Sequence, residues 1–474
     1  MNCFIGLDIG TSAIKCILIS ESGIILGQAK AKNIFLYPAA GRVEYNVDER
    51  YNQICNLIRN VVQQNPSTSQ VRALCITGAS GNGLLLDKDK KPIENAVSWL
   101  DLRAEATFNE LLSPFTSKYI HSVTGWPKIG NFPLSYFAWM KENKPEVYNS
   151  TDFFATDFIY FNYRMSGCWA HDTSTATNFY LQEQTSQKYH QPFLDFLKID
   201  IDTLPKIVKS GEPIGAITAQ ASQETGLSEG TVVVAGSFDH PSAARGTGMT
   251  RIGDLLLSCG TSWVGFFPVA SREAALERNM LIDPFLNPAG PWGAMFSFAG
   301  VGVTITEYFN LLFNNAPFKF NKFDEAVMAS KNENNFPDFD ILQKELSPKE
   351  YLLKMLNNHS IPEISRSIME SMAKLMRNRI EYFRKEGMPI TNVSMVGGFS
   401  ESKVWPQILA DVMEVPVNLI EGEYAGCLGA SILSGMGVGL FKNEYDGFSK
   451  LNINCTTLEP NQINKLTGYS TSPT

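Results

Sequence analysis

The chain of 474 residues has no Cys-x-x-Cys pair and no dense cysteine framework. Its eight cysteines, Cys3, Cys16, Cys55, Cys75, Cys168, Cys259, Cys427 and Cys455, are scattered and sit mostly in apolar runs. Buried, reduced thiols are expected, rather than a disulfide scaffold or a zinc site. An excess of positive charge is also absent; the formal net charge is −8. That removes the basic field used to hold nucleic acid or an anionic membrane, so neither is an expected partner. A polyphosphate would have to be held by backbone amides, a metal ion and local side chains. No uninterrupted apolar stretch is long enough to span a bilayer. The first residues lack a basic leader region and Asp8 interrupts their apolar run, so a cytoplasmic location is expected. What is present is globular in character: 44% hydrophobic and 19% charged residues, in a chain too long for one typical core. Two domains are the natural expectation.

The beginning of the chain is its most informative stretch. Phe4–Leu7 is apolar, Asp8-Ile9-Gly10-Thr11-Ser12 follows, and a second apolar run reaches Ile19, with a turn expected near Ser22-Gly23. This predicts a β-hairpin with a turn of small, hydroxyl-bearing residues. Gly6 and Gly10 let backbone approach a ligand, and Gly10 can take positive φ. Thr11 and Ser12 offer hydroxyls and amides suited to an anion. Asp8 beside them would repel a phosphate unless Mg²⁺ lay between. An ordinary hairpin with a glycine turn is the plainer alternative. The pattern returns at Leu255–Ser258, Cys259-Gly260-Thr261-Ser262 and Trp263–Phe267. Two copies of a strand, Gly-Thr-Ser, strand unit point to two similarly built domains over one phosphate chain.

Other segments follow the same logic. Asn46–Gln64 predicts a helix with Asp48 as a plausible cap. Val71–Thr77 is a strand ending in Gly78-Ala79-Ser80-Gly81-Asn82. Ala96–Ala104 reads as a strand entering a helix, with Trp99, Asp101 and Arg103 at alternate positions. These three are either ligand-facing groups or a core Trp with a structural ion pair. Residues 130–145 predict an aromatic amphipathic helix, and His171–Thr177 a polar loop. Thr231–Gly236 is a buried strand delivering Ser237-Phe238-Asp239-His240 to its end, where ligands of open α/β sheets collect. For Asp239 the alternative is a helix cap. Ile361–Lys385 predicts a long amphipathic helix, Val393–Val396 a strand leading to Gly397-Gly398-Phe399-Ser400-Glu401-Ser402, and Val415–Leu419 the last clear strand. Asp324–Asn332 is a weaker helical candidate. The boundary between halves is expected within Gly246–Gly253.

Taken in order, these motifs resemble the FGGY-type carbohydrate kinases, within the sugar-kinase, actin and heat-shock ATPase superfamily. Asp8–Ser12 with Lys15 resembles the first phosphate motif, and Ser258–Ser262 the second. Trp99, Asp101 and Arg103 resemble the sugar-proximal Trp-x-Asp-x-Arg segment. Gly236–Asp239 resembles the strand end with the catalytic aspartate. Gly397–Ser402 with Trp405, Gln407 and Asp411 resembles the adenosine motif. Glu423, Ala425, Leu428, Gly429 and Ala430 match the closing segment. The resemblance implies an α/β fold of two ribonuclease H-like (actin-like ATPase) domains, each with a mixed β-sheet, and an active site in the cleft between them. Residues 1–246 would form the N-terminal domain with the sugar site and first phosphate motif. Residues 247–450 would form the C-terminal domain with the second phosphate and adenosine motifs, and 451–474 a polar tail, partly ordered at best.

The implied chemistry is ATP-dependent phosphorylation of a hydroxyl of a small sugar, most simply a ketose such as xylulose or a related pentulose. Asp239 is the expected base, accepting the hydroxyl proton during transfer, and Asp8 the expected Mg²⁺ holder. Gly10, Thr11, Ser12, Lys15, Gly260, Thr261 and Ser262 would meet the phosphates; Gly397, Gly398 and Ser402 would meet the rest of ATP. Ser80, Asn82, Trp99, Asp101, Arg103 and His240 would face the sugar, and domain closure would exclude water. The sugar loop departs from the family. Gly78–Asn82 stands where many xylulose kinases have Gly-Gln-Met-His-Gly, and the glycerol-kinase Asn-Gln-Arg-Glu is missing too. His240 replaces the usual Asn or Gln, Tyr136 a signature lysine, and a Gly-Glu-Arg-Thr-Pro segment is absent. The alternatives are another polyol, a deoxyketohexose, an aldonic acid paired by Arg103, or a weakly catalytic nucleotide- and sugar-binding sensor. A chaperone-type ATPase is disfavoured by the Trp99–Arg103 segment and the lack of a peptide-binding domain. A homodimer is the general prior.

Overall fold

A strand buried on both faces needs paired neighbours on both edges and cover above and below. Asn2–Ile9 has that character, with Cys3–Leu7 buried. In the computed structural model it pairs antiparallel with Ala13–Ser20 and parallel with Gln70–Gly78. Residues 1–64, 70–313, 320–330, 336–420 and 423–461 are described. Ile25–Lys32 extends one side of the pair, while Val232–Val234 and Pro213–Ala216 extend the other. The result is a mixed six-stranded sheet. Helix Val47–Gln63 covers it with Tyr51, Ile54, Ile58 and Val61. Its cap is Asn46, which accepts from the amides of Asp48 and Glu49 at 3.0 Å each, so Asp48 sits in the first turn instead of capping it.

The chain does not divide into consecutive halves. One compact unit gathers Met1–Thr250, Val269–Ala294 and Tyr424–Ile453; the other gathers Arg251–Pro268, Met295–Glu423 and the chain from Asn454 on. A linear division at 246/247 falls beside the first passage but separates Val269–Ala294 and Tyr424–Ile453 from the unit in which they pack. The physical reason is helix Ala425–Gly437, which lies directly on strand Asn2–Ile9.

The second unit repeats the arrangement of the first. Asp254–Cys259 pairs antiparallel with Trp263–Val269 and parallel with Asn392–Val396; Val417–Ile420 continues in parallel. The next strand, Cys455–Leu458, is antiparallel at the edge, so Val415–Leu419 is not the last strand and the tail contributes to the sheet. Gln407 donates to the Glu459 carbonyl (2.9 Å) and the Asn461 amide to Asp411 (2.8 Å), fixing this stretch. The tail beyond Asn461 lies outside the described residues, as do Asn332 of the Asp324–Asn332 helix candidate and Glu421-Gly422 before the last long helix. Helix Phe320–Met328 covers the start of that candidate, and Ile361–Lys385 is a single helix opened by a Ser360/Glu363 capping box.

Two further expectations are corrected. The helix of residues 130–145 spans Pro133–Asn143 with Pro133–Met140 all buried, so its aromatic side chains serve packing all round and not one stripe. The expected polar loop His171–Thr177 is buried strand and helix: Ala170–Asp172 runs into Thr173–Phe179, capped by Asp172, which accepts from the Thr175 amide at 2.7 Å. The hydroxyls of Ser174, Thr175 and Thr177 are small and bonded internally.

Burial of that segment has a consequence for pH. Neither ring nitrogen of His171 has a hydrogen-bond partner, and burial pushes its pKa down to about 3. Burial pushes Asp172 up to about 7, against the bonds from Thr175. Between about pH 3 and 6.5 the folded state binds fewer protons at His171 than the unfolded chain, so this group makes stability rise with pH. Between about pH 4 and 7 it binds more at Asp172, so that group makes stability fall as pH rises. The slopes oppose one another. Asp172→Asn, which keeps a cap acceptor, is expected to steepen the rise of urea stability with pH in this window, and His171→Phe to reverse it. Identical slopes in both variants and the wild type would refute these shifts.

Candidate active site

In the first unit, Asn2–Ile9, Gln70–Gly78 and Val232–Val234 run parallel, and their C-terminal ends form one edge. Ile9 lies opposite Gly78, which bridges to Phe238. Glycine permits this convergence: a Cβ on Gly78 would meet the Ile9 carbonyl at 2.3 Å, and one on Gly236 the Ile76 carbonyl at 1.7 Å. The loops leaving this edge carry Gly10–Ser12, Ser80–Asn82 and Asp239–His240. The Gly10 amide donates to the Ala13 carbonyl (3.0 Å), and Asn33 secures the turn through the Gly10 and Ser12 carbonyls. Gly10 does not use the positive φ open to glycine. Ser12 is exposed, Thr11 half-buried, and Lys15 stands opposite Asp8 across the hairpin.

Asp239 opens helix Asp239–Gly246, with Phe238 in the N-cap position, so the capping alternative does not describe it. Its Oδ1 accepts from the His240 amide (2.7 Å) and faces His240 Nδ1 at 2.6 Å. Asp8 is close enough to feel that charge. Burial, then the Asp239 carboxylate, push the Asp8 pKa up to about 7, against Lys15 and His240. Burial opposes a charge on His240, yet Asp239 and Asp8 hold its pKa above the usual value. Asp8 Oδ1 is buried with no hydrogen-bond partner. An orphaned carboxylate oxygen beside a second carboxylate suits a divalent cation. Among the described residues no cluster of three or more His, Cys, Asp or Glu side chains could hold a metal, so water or phosphate oxygens would complete such a shell.

The sugar-side residues separate into two groups. Trp99 and Asn82 line a small cavity with Gly10, Thr11, Asn33 and Arg50. Asn82 is nevertheless committed: its Nδ2 donates to Asp157 (3.0 Å) and its Oδ1 accepts from the Trp99 amide (3.1 Å). Ser80 donates to Asn178 (2.8 Å) and is buried. Arg103 binds both oxygens of Asp101, at 2.8 and 2.9 Å, and Glu44 at 2.6 Å. Asp101 also accepts from the Val43 amide. Asp101 and Arg103 thus form the buried ion pair that the sequence left as an alternative. Asp157, Arg50 and Asn33 escaped the sequence reading. Asp157 is fully buried in the first turn of helix Asp157–Ser166 and also accepts from Tyr45 (2.8 Å).

In the second unit, the turn Gly260–Ser262 and the loop from Gly397 leave adjacent parallel strands. A Cβ on Gly397, at φ 94°, would meet the Cys259 carbonyl at 2.4 Å. Gly397 and Gly398 are exposed, as are Gly260 and Thr261. Ser262 Oγ accepts from the Gly300 amide (2.9 Å), tying the turn to helix Val301–Leu312. Ser402 is buried; its hydroxyl donates to Asp324 (2.6 Å) and accepts from the Trp405 amide (2.9 Å), so it shapes the loop and caps the following helix.

Comparison with known proteins agrees with this architecture. The family model for the FGGY family of carbohydrate kinases, N-terminal domain, matches residues 3–246, and the C-terminal domain model matches 327–438. A xylulose kinase of Bacillus subtilis (strain 168) is 28% identical over 460 residues, covering 94% of this chain and 90% of that protein. The crystal structure of a xylulose kinase from Rhodospirillum rubrum is similar with a TM-score of 0.83 at 21% identity, covering 97% of this chain and 94% of the other. Gluconate kinase from Lactobacillus acidophilus gives 0.81 at 19% identity, covering 98% and 94%. The fold is thus that of the two-domain sugar kinases, an actin-like ATPase fold with a mixed sheet in each domain. The chain belongs to the FGGY family of carbohydrate kinases. It is an ATP-dependent sugar phosphotransferase.

The site's position in the first unit depends on close helix packing. A Cβ on Gly429 would fall 1.8 Å from the Ser242 carbonyl oxygen of the helix that carries Asp239. Gly429→Ala is expected to force the helices apart and destabilise the protein by about 1–3 kcal/mol. A urea midpoint equal to the wild type's would show that the contact is not limiting.

Proposed function

We propose that the protein phosphorylates a hydroxyl of a small neutral ketose, a pentulose such as xylulose first, with Asp239 as general base. The observation that carries this reading is the grouping of Asp239, His240 and Asp8 at the strand ends. A sugar hydroxyl is a poor nucleophile at neutral pH, and a carboxylate in hydrogen-bond reach helps by accepting its proton. His240 holds Asp239 Oδ1 and leaves the carboxylate directed by two bonds. The rest is positioning and charge neutralisation. Mg²⁺ held at Asp8 would neutralise phosphate charge. The amides and hydroxyls of Gly10–Ser12 and Gly260–Ser262, with Lys15, would receive the phosphates, and Gly397 and Gly398 would let backbone lie against the nucleotide. Ser402 serves that loop by capping.

The neutral acceptor is favoured over an aldonic acid by the state of Arg103. Its guanidinium already binds two carboxylates, and a substrate carboxylate would have to displace one of them. The Bacillus subtilis relative, a xylulose kinase, supports a pentulose.

A coupled ADP-release screen with Mg²⁺-ATP against ketopentoses, deoxyketohexoses, polyols and aldonic acids tests this reading. A response to a ketopentose is expected, with Asp239→Asn lowering turnover by on the order of 10²–10⁴ while ATP still binds. Near-wild-type turnover of that variant would remove Asp239 as base. Asp8→Ala is expected to weaken Mg²⁺-dependent turnover with little loss of sugar binding; an unchanged Mg²⁺ dependence would remove Asp8. Silence across the panel with ATP bound would favour a sensor.

A further inference from the structure

The helix that carries Asp239 begins without a side-chain cap: Phe238, its N-cap residue, supplies no such bond. The Phe238 amide instead donates to Ser174 Oγ at 3.0 Å, on a helix distant in sequence. Ser174 is 1% exposed, and its hydroxyl donates in turn to Asp283 Oδ2 at 2.6 Å. A hydroxyl has one proton to give. Because Asp283 takes it, a lone pair of Ser174 is turned toward the Phe238 N–H. Asp283 is itself fixed, 1% exposed and accepting from the Phe285 amide at 2.7 Å. The other end of the helix is tied to the same segment, since Arg245 donates to the Phe285 carbonyl at 2.9 Å. Trp126, whose ring lies 5.9 Å from that of Phe238, donates to the Ile282 carbonyl at 3.0 Å. All of these residues belong to the first unit.

We propose that Ser174, oriented by Asp283, is a positioning residue for phosphoryl transfer, setting the direction of the Asp239 carboxylate through the Phe238 peptide. Asp239 is the next residue after Phe238, so a lateral shift of that peptide passes undiluted to the carboxylate. Misplacement of a reacting group by about 1 Å can cost on the order of 100-fold in rate. The inference rests on Asp239 being the base; its kinetic test takes D-xylulose as the acceptor, and its exchange test needs no sugar.

The test is a double-mutant cycle in the ADP-release assay with Mg²⁺-ATP and D-xylulose, joined to hydrogen exchange of the sugar-free protein. Ser174→Ala is expected to lower kcat by about 10- to 100-fold with the KM for ATP unchanged, and Ser174→Thr to restore most of the rate. Added to Asp239→Asn, Ser174→Ala should cost nothing more, because its effect passes through the missing carboxylate. An equal loss in both backgrounds would overturn the proposal, since the defect would then be general. The peptide containing Phe238 should exchange faster in Ser174→Ala and not in Asp239→Asn. Unchanged exchange in Ser174→Ala would overturn the tether whatever the kinetics. If Asp239→Asn turns over normally while exchange responds as expected, the base assignment fails and the tether stands.

Discussion

The first unit depends on backbone touching backbone at glycine. Helix Ala425–Gly437 meets strand Asn2–Ile9 where a Cβ on Gly6 would sit 2.0 Å from the Cys427 carbonyl. It meets helix Asp239–Gly246 where a Cβ on Gly246 would sit 2.0 Å from the Ala425 carbonyl. Gly426 faces the Asp8 carboxylate at the same corner. A packed interior transmits such contacts because it cannot deform continuously. Strand Asn2–Ile9, helix Asp239–Gly246 and helix Ala425–Gly437 are therefore packed into one corner, which brings the two aspartates close enough to interact.

That coupling fits a chain with a net charge of −8. Without a basic field, a phosphate donor would be met by amide-rich turns and by whatever cation the acidic corner retains. Polar groups elsewhere in the loops are closed on one another: Ser80 on Asn178, Asn82 on Asp157 and the Trp99 amide, Arg103 on Asp101 and Glu44. A loop whose hydrogen bonds are internally satisfied holds its shape before a ligand arrives.

Much of this was legible in the sequence, and the failures share a cause. The two Gly-Thr-Ser hairpins, the strand ending at Asp239 and helix Ile361–Lys385 are local patterns, so short windows revealed them. Gly6 was read as room for a ligand, whereas it makes room for a helix more than 400 residues later in the chain. His171–Thr177 reads as a polar loop from its sequence alone, but partners that bury its polar groups, such as Asp283 for Ser174, are remote in sequence. Trp99, Asp101 and Arg103 left two readings open until Glu44 and Val43 were seen to close around the pair. Asp157 gave no signal, since a buried acid and a first-turn acid look alike without the third dimension.

The return of Tyr424–Ile453 to the first unit also sets a timetable for biosynthesis. The strand Asn2–Ile9 is synthesised more than 400 residues before Ala425–Gly437, the helix that covers it. At about 5–20 residues per second the uncovered sheet waits on the order of tens of seconds. During that interval the growing chain carries an apolar sheet face that lacks this helix. The face that helix Ala425–Gly437 covers is therefore exposed throughout that interval, which is when it is open to association with other chains.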